Sequence, residues 1–231
     1  TTSSIGFFGN NKESKEYGSA GSGVIIGGDK EQGEAYIITN YHVVYDADAD
    51  VKISNKIFVY LYGQELDKYK ISATYIGGSM SYDIAVLKIQ SDVYKESNAH
   101  AATIGKSGDM TVGDSVIAIG NPNAGGIAVT QGILSMESEY ITMTAADNVS
   151  TVQIRVMRVD AAINGGNSGG GLFNDSGELI GIVNAKVVSE KIEGMAYAIP
   201  VDFAYPAAQN ILKNCDGNTN TQILRSFMGI S

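Results

Sequence analysis

The chain has one cysteine, Cys215, so it holds no intramolecular disulfide and no cysteine-rich zinc site. Its two histidines, His42 and His100, lie 58 positions apart without a His-Glu-x-x-His pairing, which excludes a zincin-type metalloprotease. Basic residues are scarce. The 16 Lys and Arg against 25 Asp and Glu leave a net charge of −9, and a chain that acidic is a poor partner for nucleic acid. No apolar run approaches the ~18 residues of a membrane span. Residues 1–10 lack the basic start and apolar stretch of a signal peptide. Prolines number 3 against 28 glycines, which points to many tight turns.

What remains is a globular composition, 44% apolar and 18% charged over 231 residues. That length allows one large domain or two smaller halves. Short runs rich in Ile, Val and Tyr recur at 23–27, 35–39, 57–62, 70–76, 84–89, 115–120, 128–136, 151–159, 178–183 and 195–199. Such residues suit a pleated, half-buried surface, and Gly-Gly-Asp, Gly-Gly-Ser and Asn-Asp-Ser-Gly turns separate many of the runs. Ten or so strands with little helix between them predict an antiparallel barrel or sandwich. One helix is predicted near the end. Asp202 is its expected cap, Phe203, Ala207, Ile211 and Leu212 share a face, and Pro206 is expected in its first turn. A second short helical piece is expected within 92–102. The polar stretch 94–113 reads as the connection between two halves, and 136–150 as an excursion between two strands.

Three segments carry candidate chemistry. Around Ser168, Asn164-Gly165-Gly166-Asn167-Ser168-Gly169-Gly170-Gly171 crowds glycines onto one serine. A serine nucleophile needs a hydroxyl projecting into a cleft and N–H groups aimed at a developing oxyanion. An ordinary Gly-rich turn fits the same residues taken alone. In Thr39-Asn40-Tyr41-His42-Val43-Val44 a histidine follows a strand at once, although a lone histidine is more often structural. In Ser81-Tyr82-Asp83-Ile84-Ala85 an acid heads an apolar strand, a poor place for a carboxylate unless it has a partner or faces water. The order His, Asp, Ser in an all-β chain is that of the chymotrypsin-like fold. Both histidines precede Ser168, so the Gly-x-Ser-x-Gly of 166–170 does not fit an α/β-hydrolase.

Together these segments resemble the HtrA/Deg family of trypsin-like serine proteases. The matching stretches are residues 21–26, 39–44, 83–89, 117–122, 129–133, 160–170, 177–182 and 198–200, in the family's order. The resemblance implies an all-β fold of two six-stranded antiparallel barrels with a short C-terminal helix. It implies a single trypsin-like protease domain over 1–231, with an N-terminal barrel at 20–105, a C-terminal barrel at 106–200 and a helix and tail at 201–231. Carried over residue by residue, Ser168 is the nucleophile, His42 the base and then acid, and Asp83 the group that orients His42. Gly166, Asn167 and Ser168 form the oxyanion hole. The base of the primary pocket falls at Ala162, with Asn184, Ala185 and Lys186 on the wall strand. A small, uncharged base predicts cleavage after small or medium apolar residues. Lys186 is unusual there and leaves two readings, an ammonium facing solvent or a preference for acidic substrates.

The chain departs from the family where Gly165 and Gly171 replace the usual prolines, which loosens the loop. Asn167, where digestive proteases carry Asp, argues against activation by a new N-terminus. The family commonly continues into a PDZ domain, and about 30 residues after Pro200 are too few for one. The function implied is a serine endopeptidase acting on unfolded or exposed polypeptide, with activity rising from acid to neutral pH because the base must be unprotonated. The alternatives are a catalytically silent, chaperone-like binder of unfolded chains and an adhesive β domain. No metal or organic cofactor is implied. Asp46-Ala47-Asp48-Ala49-Asp50 begins like an EF-hand loop, but Val51 and Ile57 replace its Gly and Glu. The resemblance implies a monomer or a homotrimer joined through the N-terminal segment, for which Phe7, Phe8 and Tyr17 are candidates, although an ordinary tucked-in terminus explains them as well. The expected location is extracytoplasmic, whether secreted, periplasmic or at the cell surface, possible anchoring being left to a segment outside this sequence.

Overall fold

A computed structural model of the protein describes residues 2–5, 19–122, 125–187, 195–215 and 221–223; Phe7, Phe8 and Tyr17 lie outside them. All ten predicted runs are strands, because each presents β-branched or aromatic residues to a buried face. The first half holds β1 (Thr2–Ile5), β2 (Gly21–Asp29), β3 (Glu34–Thr39), β4 (Ile57–Leu61), β5 (Ile71–Ser79) and β6 (Ile84–Gln90). The second holds β7 (Ser115–Gly120), β8 (Ala128–Thr144), β9 (Thr151–Val159), β10 (Gly171–Phe173), β11 (Leu179–Val183) and β12 (Ala196–Pro200). A short β13 (Thr221–Gln222) returns to the first half and pairs in parallel with β5 at Gly77 and Gly78.

The second half closes into a six-stranded antiparallel barrel in the order β7-β8-β9-β12-β11-β10. The first half is a seven-stranded sheet, β13-β5-β4-β1-β2-β3-β6, in which β5 also pairs with β6. Ile25, Ile37, Leu61 and Leu87 pack one core within this sheet. Leu134, Met157, Leu172 and Ile180 fill the barrel. A third cluster joins the two bodies: Ile38, Ile84 and Val86 from one meet Ile182, Ile199 and Ile211 from the other half and the terminal helix.

Two short helices, α1 (Tyr41–Val44) and α2 (Asp92–Glu96), and the longer α3 (Val201–Asn214) are the α-helices among the described residues. Asp202 is not the cap of α3. Pro200 occupies that position, and the Asp202 carboxylate instead accepts from the Ser107 hydroxyl and the Gly108 N–H. Pro206 lies past the first turn, inside the helix. The helix tolerates it because Val201, Ala204, Ala208 and Ile211 are fully packed against the sheets, and tertiary burial outweighs one lost hydrogen bond. Residues 136–150 are more ordered than an excursion. β8 and β9 pair as far as Thr144–Thr151, and Met143, Ile154 and Val156 give the extension its own small core. The Asp46–Asp50 stretch is a turn in which Asp46 accepts the Asp48 N–H.

Candidate active site

His42 sits on α1, a single helical turn after β3. Val43 and Val44 are buried and anchor it, which turns the imidazole outward. Asp83 ends the turn between β5 and β6 in a left-handed conformation, φ +52°, which Asp tolerates better than most residues. It is 3% exposed, so its charge must be met by donors. Three meet it. The His42 backbone N–H donates to one carboxylate oxygen at 2.9 Å, while His42 Nδ1 at 2.7 Å and the Asn184 amide at 2.8 Å share the other. The Asn40 amide holds the Asp83 carbonyl at 3.0 Å. With Nδ1 donating to the carboxylate, His42 Nε2 is left as an acceptor, and Ser168 Oγ lies 2.9 Å from it. His42 keeps 15% of its side-chain surface exposed, enough for a ligand to reach it. Residues 41 and 126 positions apart from His42 are thus joined in one hydrogen-bonded row.

The Ser168 loop is held by its backbone. The Ser168 carbonyl accepts the Ser22 N–H at 2.7 Å, Gly169 N–H donates to Val183, and Gly170 N–H donates to Asn167. Gly169 has φ +83°, and a Cβ there would lie 2.2 Å from both the Ser22 carbonyl and the Thr39 hydroxyl, so only glycine fits. Gly171 has a different reason. Its missing Cβ leaves room for the Phe173 ring, which would stand 2.4 Å away. Among the described residues, the N–H groups of Gly166 and Ser168 donate to no protein acceptor. Asn167 between them is buried, and its amide oxygen has no hydrogen-bond partner.

The expected pocket residues have different surroundings. Ala162 is exposed, and its carbonyl accepts from the Thr130 hydroxyl. Asn184 is fully buried with its amide on Asp83, so its side chain supports the carboxylate and does not line a pocket. The wall strand ends at Val183, and residues 185–187 form a 3-10 turn because Lys186 N–H folds back onto the Asn184 amide oxygen. Ala185 N–H reaches Ser168 Oγ at 3.3 Å. The Lys186 ammonium crosses to the β8–β9 tip, where it donates to the Ala145 carbonyl at 2.6 Å and the Asn148 amide oxygen at 3.1 Å. Burial lowers its pKa from the ordinary lysine value, against the opposing fields of Asp83 and Asp147.

Sequence reasoning overlooked Ser22. It is fully buried, its hydroxyl donates to the Gly166 carbonyl at 2.8 Å and accepts the Asn121 N–H at 2.8 Å, and it ties the first sheet to the serine loop. A polar residue just ahead of the apolar Val24–Ile26 run of β2 was the available signal. Among the described residues no cluster of three His, Cys, Asp or Glu side chains could hold a metal ion, and no helix is long and apolar enough to cross a membrane.

The family described as "Trypsin-like peptidase domain" matches residues 21–182. The Bacillus subtilis serine protease Do-like HtrA is 38% identical over 221 residues, 95% of this chain and 43% of that protein. A Hahella chejuensis relative, named a probable periplasmic serine endoprotease DegP-like, is 36% identical over 192 residues, 82% of this chain and 35% of its own length. The chain therefore spans less than half of either curated relative. A solved HtrA-type protease with tripeptide superposes with a TM-score of 0.68 at 31% identity, covering 92% of this chain and 60% of that one.

Proposed function

Since the chain belongs to the trypsin-like peptidase family, matched over 162 of its 231 residues at 21–182 and similar to HtrA/Deg proteases, we propose that it is a serine endopeptidase acting on unfolded or exposed polypeptide. The observation that carries this reading is the row Ser168 Oγ, His42 Nε2, His42 Nδ1, Asp83, with heavy-atom separations of 2.9 and 2.7 Å. Ser168 attacks the peptide carbonyl while His42 Nε2 takes its proton. Asp83 fixes the tautomer and stabilises the imidazolium that forms. The N–H groups of Gly166 and Ser168 hold the oxyanion, which fits their lack of protein acceptors among the described residues. His42 then returns the proton to the leaving amine, and water hydrolyses the acyl-enzyme by the same route in reverse.

The architecture proposed with it is a two-barrel domain. In the first half the pairings run β4, β1, β2, β3, β6, β5 and back to β4, a ring that supports reading it as the second six-stranded barrel, with the division near residue 105. The periplasmic description of the DegP-like relative supports an extracytoplasmic location.

A fluorophosphonate probe tests the reading. It should label Ser168 in the intact protein, and Ser168→Ala should lose both labelling and casein cleavage, the latter by ~10⁴-fold or more, with an unchanged melting curve. Cleavage retained in Ser168→Ala would overturn the assignment.

A further inference from the structure

The Lys186 ammonium is poorly matched by its surroundings. It carries three protons and donates two, to the Ala145 carbonyl and the Asn148 amide oxygen, both neutral acceptors. Among the described residues no carboxylate lies within ion-pair distance of it. Among the described residues, the two carboxylates whose fields reach it are engaged elsewhere. Asp83 is taken by His42 and Asn184, and Asp147 by the Ser150 hydroxyl and the N–H groups of Val149 and Ser150. Its partly desolvated charge therefore gains more from a carboxylate partner than a solvated lysine would.

Its place is as informative as its charge. The preceding residue, Ala185, has its N–H 3.3 Å from Ser168 Oγ. An ammonium one residue and one side chain further on lies within reach of the first ~four positions of an extended substrate, at ~3.4 Å per residue. The two bonds to the β8–β9 tip also hold the side chain in one direction, so little freedom remains to be lost on binding. In a chain of net charge −9, this cation, carried by the residue after Ala185, is a local exception to a field that repels acidic ligands.

We propose that Lys186 is a specificity-determining residue that takes an aspartate or glutamate side chain of the polypeptide substrate close to the scissile bond. This rests on the serine endopeptidase reading and names the substrate class for that same site. Selection by charge would add to whatever apolar preference the primary pocket has.

The test is cleavage of paired peptides that carry Asp or Glu, or the matching Asn or Gln, at each of four positions on either side of the cleaved bond. At one position the acidic peptide should have a kcat/KM about tenfold higher, the size of one charge-assisted hydrogen bond. High salt should shrink that ratio. Lys186→Met should bring it to about one, Lys186→Glu should invert it, and Lys186→Arg should retain it. Equal rates for every pair, or a preference that survives Lys186→Met, would overturn the proposal. Binding of the same peptides to Ser168→Ala, with and without Lys186→Met, reads the preference without turnover. Equal Kd values for acidic and amide peptides there sink the role of Lys186 even if the probe labels Ser168. Absent labelling with a charge-selective Kd sinks the endopeptidase reading alone.

Discussion

Asp83 in the first sheet and Ser168 in the barrel end are both almost wholly buried, at 3% and 5% exposure, yet they are held differently. Asp83 is held through its side chain, by two side-chain donors and one backbone N–H on the carboxylate. Ser168 is held through the main chain of its loop: its carbonyl accepts the Ser22 N–H, the Gly169 and Gly170 N–H groups donate to the Val183 and Asn167 carbonyls, and the hydroxyl is left to His42 Nε2 and the Ala185 N–H. The difference follows from what each group has to do. A buried charge is stable only when its lone pairs are met, so its partners are chemically specified. A nucleophile needs only position, so its loop is specified by shape. Damage to the donors around Asp83 should therefore appear first in catalysis, and damage to the backbone of the Ser168 loop first in folding.

Gly169→Ala is the strongest way to break that contrast. The added methyl would meet the Ser22 carbonyl and the Thr39 hydroxyl at 2.2 Å, and the backbone would stay at φ +83°. Strain and overlap together should cost ~3 kcal/mol or more. At ~2–4 °C per kcal/mol for a chain of this size, the melting midpoint should fall by roughly 6–12 °C. Gly165→Ala is the control, because a Cβ there meets nothing within 4 Å. It should leave the midpoint unchanged or raise it slightly. Equal midpoints for the two variants would mean that the serine loop is not fixed by its contact with β2.

Asn184→Ala probes the other side and should act mainly on turnover. It removes one of three donors from the Asp83 carboxylate while His42 Nδ1 and the backbone N–H remain. A buried carboxylate that loses one partner is destabilised by ~1–3 kcal/mol, so kcat should fall ~10- to 100-fold with little change in KM. Asn184→Asp should be worse than Ala, since it sets a second carboxylate beside the first. A variant whose KM rises while kcat holds would instead restore Asn184 to the substrate pocket.

The three candidate segments could be read from the sequence because each has a local signature: glycines around Ser168, a strand-ending His42, an acid heading the apolar β6. Asn184 could not, because its role depends on a carboxylate 101 positions away whose burial appears only after folding. The strands outside the expected set failed for similar reasons. β1 is Thr-Ser-Ser-Ile, without apolar alternation, and is specified by pairing with β2 and β4. β10 is three residues long, and β13 is two. The β8–β9 extension was hidden because Glu139, Tyr140 and Thr142 dilute its pattern, while Met143, Ile154 and Val156 form a core visible only across the hairpin. Sequence periodicity reports burial against a continuous face; it misses elements held by backbone pairing or by a small satellite cluster.

The mildest test stays within the first sheet and asks whether exposure, rather than charge, sets the cost of losing a carboxylate. Glu34 and Lys88, on the neighbouring strands β3 and β6, form an ion pair at 2.5 Å with side chains 23% and 33% exposed. The hydrogen bond from Lys88 holds the Glu34 pKa below its ordinary value, and the same bond holds Lys88 above its own. A carboxylate whose pKa is depressed by folding adds stability above its unfolded pKa and loses it as pH falls through the folded one. The raised Lys88 adds stability below the ordinary lysine pKa and loses it as pH climbs through the folded value. The pair should therefore contribute across neutral pH and vanish at both extremes, by less than ~1 kcal/mol given its access to water. Glu34→Gln should lower the melting midpoint by no more than ~2–4 °C at pH 7, and the two proteins should converge as the pH falls through the lowered pKa of the folded carboxylate. A difference that persists once the carboxylate is protonated would assign the effect to packing of the Glu34 side chain, and the contrast with Asp83 would then lose its electrostatic basis.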